Sequence, residues 1–321
     1  MGSVTEEQVM VTVQCLAYNH EKYIRRTLDG FVMQKTDFKF EVIVHDDAST
    51  DGTPDIIREY AEKYDFIIPV YQSENQYQNH TSIIKEFIFP LTRGKYYTFC
   101  EGDDYWTDAD KLQIMVDHME KDPGCSSVCH SYNLINESDT EIIRTIRTLN
   151  CDGIISPDLA IAYTDPPQLA SQMFRTKDIM AMPDCFRGYG VGDYPYLLYS
   201  ITRGHIYYLD RVMTNKRDAS KGSWTERVYN DSEKQLVHWD KMKQFLKVFD
   251  EYTGGKYSDA VSKRNSFIQF KEHLLKKEYS KAVRHPYFKK VNYKRKAQIL
   301  VGVVFPSIAV RLEKMYLQRA R

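Results

Sequence analysis

Four short apolar runs in the first hundred residues, the first three each followed by turn residues and then by helical spacing, constrain the fold more tightly than any other feature of this sequence. Met10 to Ala17, Phe40 to His45, Ile67 to Tyr71 and Tyr96 to Cys100 have the length and β-rich character of buried strands. Between the first two, Ile24, Leu28, Phe31 and Val32 recur at helical spacing, with Gly30 as an interruption. After the second, Thr53-Pro54 reads as an N-cap followed by proline at the first helical position, ahead of Ile56, Ile57, Tyr60, Ala61 and Tyr64. Ile83 to Leu91 predicts a third helix. Parallel neighbours need crossover connections, so this alternation predicts an α/β domain: a mostly parallel sheet with helices on both faces.

In such a sheet ligands bind outside the carboxyl ends of the strands. Three of the four runs end there in polar clusters: Tyr18-Asn19, Asp46-Asp47, and Glu101 with Asp103 and Asp104 around Gly102. Each alone reads equally well as ordinary turn residues. Together they are expected to converge on one crevice. Adjacent carboxylates repel, so the third cluster calls for a divalent cation or a set of donors, and hard oxygen ligands suit Mg²⁺ or Mn²⁺. Neither G-x-G-x-x-G nor G-x-x-x-x-G-K-[ST] follows the first strand, which argues against a dinucleotide dehydrogenase and a P-loop NTPase. Lys and Arg number 44, as do Asp and Glu, so no global field argues for nucleic acid. The six cysteines are scattered and the start of the chain carries no signal-peptide pattern, which together predict a reducing, cytoplasmic setting. Cys125, Cys129 and His130 lack a second pair at zinc-finger spacing.

VTVQCLAYNHEKYI, FEVIVHDDASTDGT and KYYTFCEGDDYWTDADKL resemble the opening blocks of the family 2 glycosyltransferases with the GT-A fold, and more narrowly the bacterial enzymes that build surface polysaccharides. The resemblance covers Val11 to Leu112, resumes near Met173 to Arg175 and Gly192 to Pro195, and fades after Trp224. It implies a GT-A, Rossmann-like sheet and transfer of a sugar from a nucleoside diphosphate donor, with inversion at the anomeric carbon. The family's metal-binding acids fall on Asp103 and Asp104, and its base-recognising acid on Asp47. A carboxylate is an acceptor only and suits the imide N–H of uracil, so with backbone groups near Ala17, Tyr18 and Asn19 the expected donor is a UDP-sugar. Asp103 has two readings, a ribose contact or a second metal ligand. The resemblance places the catalytic base on Asp193, which from the residues alone reads as the N-cap of the helix that follows.

The chain departs from that pattern at Met213 to Ala219, where relatives carry a histidine after a Tyr-Arg pair. Arg217 matches the arginine. Either Arg217 and Lys216 neutralise the diphosphate or this part closes differently over the donor; the plain alternative to both is a solvated basic turn. Tyr189 and Trp224 are the expected acceptor contacts, in aromatic-rich stretches around and after Asp193. The expected organisation is a transferase domain over 1–230, with a donor half to about 110 and an acceptor half beyond it, then a helical appendage over 231–321. That appendage is expected to pack on the domain or on a second subunit. From Lys281 onward basic groups flank an apolar run, Ile299 to Val310, too short to cross a bilayer, which needs about twenty apolar residues. Peripheral membrane attachment and a packed helix with a solvated basic face both stand as readings. A non-catalytic binding or scaffold protein on the same fold is the alternative to a transferase.

Overall fold

The computed structural model describes residues 8–79, 82–162, 167–190, 192–218, 228 and 231–305. The chain divides into two compact units. The first comprises the residues to 156 with 165–183 and 196–221; the second comprises 157–164, 184–195 and the residues from 222.

In the first unit the strands are β1 (Val9–Ala17), β2 (Lys39–Asp46), β3 (Ile67–Tyr71), β4 (Tyr96–Phe99), β5 (Tyr105–Trp106), β6 (Cys125–Ile135), β7 (Ile142–Ile146), β8 (Gly153–Ile155), β9 (Gln172–Arg175) and β10 (His205–Arg217). They form one sheet ordered β3-β2-β1-β4-β9-β6-β10-β5, with β7 on β6 and β8 on β10. The four sequence-predicted strands are its parallel part, β3, β2, β1 and β4. Beyond β4 the sheet is mixed: β9 lies antiparallel between β4 and β6, and β10 runs parallel to β6.

Helices α1 (Ile24–Val32) and α2 (Thr53–Lys63) are the crossovers that join β1 to β2 and β2 to β3. Gly52, not Thr53, is the N-cap of α2, and Thr53 and Pro54 open its first turn. The segment expected as a helix over 83–91 is a π turn, Ile84–Ile88, followed by a 3-10 turn, Phe89–Leu91. Pro90 has no N–H to continue a longer helix. The central strands are buried on both faces, as parallel strands with helices on either side must be. Val42, Val44 and Tyr96 join one core, and Ile43, Tyr97 and Phe99 join the other.

α3 (Lys111–Lys121) leads into β6, and its first residue is a lysine with no exposed surface. The Lys111 ammonium donates to the Ala170 carbonyl at 2.8 Å and lies 2.7 Å from His130 Nε2. His130 Nδ1 lies 2.7 Å from the Ser131 carbonyl, so Nδ1 carries the proton and Nε2 accepts from the lysine. Burial pushes the Lys111 pKa down to about 7.

In the second unit, α4 (Pro157–Ala162) packs with the Ser258–Leu275 helix, one of the helices of the chain's last third. These are α7 (Ser232–Tyr252), α8 (Ser258–Leu275), α9 (Tyr279–Arg284) and α10 (Tyr293–Val304); α5 (Thr176–Met180), in the first unit, and α6 (Tyr194–Arg203), which belongs to the first unit from Tyr196 on, precede them in the chain. Met242, Phe245, Leu246 and Phe249 are the buried stripe of α7, where Phe186 meets Phe245 and Phe249 edge-on. Asp231 caps α7 by accepting from the Glu233 and Lys234 amides. Gly254 and Gly255, both at positive φ, separate α7 from α8.

The lysine in the core makes a pH prediction. Its folded pKa is lowered, so the unfolded chain binds the extra proton between about pH 7 and the ordinary lysine range, and stability rises with pH across that window. The stability difference between wild type and Lys111→Met should therefore shift toward wild type from pH 7 to pH 9.5. Urea midpoints of both proteins at the two pH values measure it; a pH-independent difference refutes a buried titrating lysine.

Candidate active site

The parallel register sets three loops side by side. Ala17 at the end of β1 pairs with Asp46 at the end of β2, and Gln14 pairs with Phe99 of β4. The ladders then continue past the strands: the Asp47 amide donates to the Ala17 carbonyl, and the Gly102 amide donates to the Leu16 carbonyl, both at 2.9 Å. The clusters at Tyr18-Asn19, Asp46-Asp47 and Glu101 to Asp104 thus lie at one edge of the sheet.

The first two loops interlock through side chains. Asn19 Oδ1 accepts from the Thr50 amide at 2.8 Å, the Asn19 amide donates to Ser49 Oγ, and the His20 amide donates to Thr53 Oγ1. Against the upward push of partial burial, Asp51 accepts from the Thr53 hydroxyl and from the Thr53 and Glu21 amides, which together hold its carboxyl below the usual carboxylate range. Asn19 and Ala48 both have positive φ, 55° and 62°. For alanine this is a costly conformation that the surrounding contacts must maintain.

The acidic cluster is built on the third loop. One carboxylate oxygen from each of Glu101, Asp103 and Asp104 lies within 4.8 Å of the others. Glu101 is exposed, Asp103 intermediate and Asp104 buried. Thr27 on the buried face of α1 pins the loop, its hydroxyl 2.6 Å from the Asp104 carbonyl and 3.0 Å from that of Gly102. Gly102 is needed for close approach: a Cβ there would stand 2.7 Å from His20 Nδ1 and 3.2 Å from the Ala17 methyl. Asp104 Oδ1 accepts from the Arg217 amide at 2.9 Å. Burial, then the neighbouring Asp103, pushes the Asp104 carboxyl well above the usual carboxylate range, with Lys216 acting in the opposite direction. A buried acid destabilised this way by its neighbours is suited to a bound cation, and the three-oxygen donor set fits Mg²⁺ or Mn²⁺.

Asp47 is buried, and its two carboxylate oxygens accept from the Gln76 and Tyr77 amides at 2.7 and 3.1 Å. Each oxygen keeps further acceptor capacity. Ala17 is buried beneath this loop and Tyr18 is exposed at its rim. Arg217 meets the acids through its main chain. Its guanidinium donates to the Glu137 carbonyl, lies 3.7 Å from Asp139 and covers the Tyr23 ring. Of the two basic residues expected against a diphosphate, Lys216 is the one whose charge acts on Asp104.

Asp193 belongs to the second unit, half-buried and immediately before α6, after a turn in which Gly188, Gly190 and Gly192 all have positive φ. In the same unit the Tyr189 ring packs against Phe245, 5.6 Å between centroids. Trp224 lies outside the described residues, as does Ala219. Trp106 is a core residue, edge-on to Phe31. Sequence reasoning did not single out Thr27, or the Gln76 and Tyr77 amides. A threonine on the buried face of α1, beside Leu28 and Phe31, was the available signal for the first. Main-chain donors leave no trace in residue type.

The family described as "Glycosyl transferase family 2" matches residues 13–192, more than half of the chain. The chain belongs to glycosyl transferase family 2. An uncharacterised protein of Mycobacterium tuberculosis is 39% identical over 151 residues, 46% of this chain and 43% of that protein. The putative teichuronic acid biosynthesis glycosyltransferase TuaG of Bacillus subtilis is 29% identical over 143 residues, 44% of this chain and 54% of TuaG. The chain thus spans about half the length of the curated relatives it matches. Among solved structures, Staphylococcus aureus TarS in complex with UDP-GlcNAc superposes with a TM-score of 0.54 at 16% identity, covering 97% of this chain and 92% of that one. That likeness is one of fold, and it is the GT-A fold expected of this family 2 chain.

Replacing Gly102 by alanine should lift the acidic loop from His20 and Ala17 at a cost of about 1–3 kcal/mol, the usual range for overpacking. We expect a lower melting temperature and at least about tenfold weaker Mn²⁺ binding by calorimetry, since ligand geometry sets metal affinity. Unaltered binding would show that the loop tolerates the extra methyl.

Proposed function

We propose that the protein is an inverting glycosyltransferase that moves a sugar from a nucleoside diphosphate donor, with UDP favoured, to a glycan or lipid-linked glycan in surface-polysaccharide synthesis. The observation that carries this is the acidic triad at the sheet edge where the β1 and β2 loops meet. Family membership, the name of TuaG and the fold shared with a UDP-GlcNAc-bound transferase support it.

Asp104 and Asp103, joined by Glu101, would hold Mn²⁺ or Mg²⁺. When bound, the cation supplies positive charge against the diphosphate as it leaves. Asp47 would accept from the uracil imide with the lone pairs its two backbone contacts leave, and Ala17, Tyr18 and Asn19 would line the nucleotide. Arg217 would serve the site by holding Asp104, with Lys216 supplying charge toward the diphosphate. Asp193, fixed before a helix, would take the proton of the attacking hydroxyl. The new C–O bond would form on the face opposite the leaving group, and the electron pair of the broken bond would pass to the diphosphate. Tyr189 and Trp224 would contact the acceptor. The scattered cysteines and the nucleotide-sugar donor together favour the cytoplasmic side of the membrane as the place of reaction.

Calorimetry with UDP, GDP and CMP, each with and without Mn²⁺, tests the donor: UDP should bind tightest and only with metal. Release of UDP from a panel of UDP-sugars then tests catalysis, and binding without turnover of any sugar would favour a non-catalytic binding protein. Asp104→Asn should lower turnover about 100-fold or more, as loss of a charge-stabilising group does. Asp193→Asn should lower transfer by a similar factor while leaving UDP affinity within about twofold. Because protons compete with the cation for a carboxyl pushed upward, Mn²⁺ affinity should fall from pH 8 to pH 6.

A further inference from the structure

The last described helix has two apolar faces. One is buried: Ile299 is 1% exposed, and Gly302 is packed so closely on the Tyr279 ring that a Cβ would stand 2.6 Å from it. The opposite face carries Tyr293, Ala297, Leu300 and Val304, spaced i, i+4, i+7 and i+11, a single stripe along α10. All four are exposed, Tyr293 at 77%, Leu300 at 48% and Val304 at 67%. A helix held to its own unit by one face gains nothing in water from a second apolar face.

The charge around the stripe is of one sign. Residues 279–305 contain seven Lys or Arg and no Asp or Glu. Lys294 and Lys296 fall on either side of the stripe by helical angle, and Lys289 and Lys290 lie in the turn before the helix. None of these four lysines forms an ion pair with a described carboxylate. No described helix is long and apolar enough to cross a membrane.

We propose that this face of α10 docks on an anionic bilayer leaflet, with Tyr293, Leu300 and Val304 entering the headgroup and acyl boundary and Lys294 and Lys296 reaching the lipid phosphates on either side. Stripe and lysines complement such a surface as a pair: the apolar residues supply burial, and the ammonium groups snorkel to the negative charge. The inference deepens the lipid-linked-acceptor part of the proposed function and rests on that reading for its place in the cell. The surface itself is defined without the donor site.

Cosedimentation of the full-length protein with vesicles of pure phosphatidylcholine or with added phosphatidylglycerol tests it, with nucleotide absent. We expect binding to the anionic vesicles only, weakening as salt is raised. Leu300→Glu with Val304→Glu should reduce the partition coefficient at least tenfold, and Lys294→Glu with Lys296→Glu should reduce it by about fivefold for each lysine. Leu300, Val304 and Lys294 are exposed and Lys296 is half-buried, its ammonium donating to the Lys289 carbonyl at 2.9 Å; UDP binding should remain, and its loss together with vesicle binding would mark a folding failure. In that case Leu300→Gln alone, expected to lower the partition coefficient without changing the melting temperature, decides the matter. No binding to anionic vesicles, or binding unaffected by the substitutions, overturns the proposal. So does a dimer by light scattering that Leu300→Glu with Val304→Glu converts to monomer, since the face would then belong to a second copy. Failure here leaves UDP binding and sugar release untouched, so the two readings fall separately.

Discussion

Three carboxylates within four successive residues, one of them buried, are the arrangement to which the rest of the first unit answers. Left alone they would repel and swing into solvent. The fold prevents this from three directions: β1 receives the Gly102 amide, α1 clamps the loop through Thr27, and β10 offers Asp104 a main-chain N–H. Each anchor belongs to a different element, so the loop is placed by the sheet as a whole. The like charge it retains is what makes it receptive to a cation.

The same edge holds a further carboxylate by different means. Asp47 is buried yet satisfied, because two successive amides of the 75–77 turn point at it. Asp104 has one such amide and two acidic neighbours. The pair shows identical side chains held in opposite environments. One carboxylate is settled by hydrogen bonds and suits recognition, and the other is unsettled by charge and suits a metal.

The parallel half of the sheet was legible because its strands are buried on both faces and appear as unbroken apolar runs between helical repeats. The edge at which the three polar clusters meet followed from that topology. The mixed half was not legible. Strand β5 has two residues and β9 four, too short to establish a period, and both owe their conformation to long neighbours. Pro90 interrupts the helix that apolar spacing predicts over 83–91. At the site, residue type identified the carboxylates but not the main-chain groups that hold them, and it gave no sign that Arg217 meets Asp104 through its backbone amide while the Lys216 charge acts on the same carboxyl. The apolar run after Ile299 was visible as composition. That α10 turns one side of it outward depends on Gly302 seating against Tyr279, a tertiary contact.

Strand β10 slips its pairing with β6 between Leu209 and Val212 and again between Val212 and Thr214, before reaching the acids in step with β5, where Asn215 faces Tyr105. Those irregularities fix the phase of the strand's last residues, and side chains alternate faces along a strand. Losing a single residue near Val212 would put Arg217 where Lys216 stands and bring Asp218, an acid, to the place whose amide meets Asp104. The site's polarity is therefore stored at a distance of several residues, in how a strand keeps count.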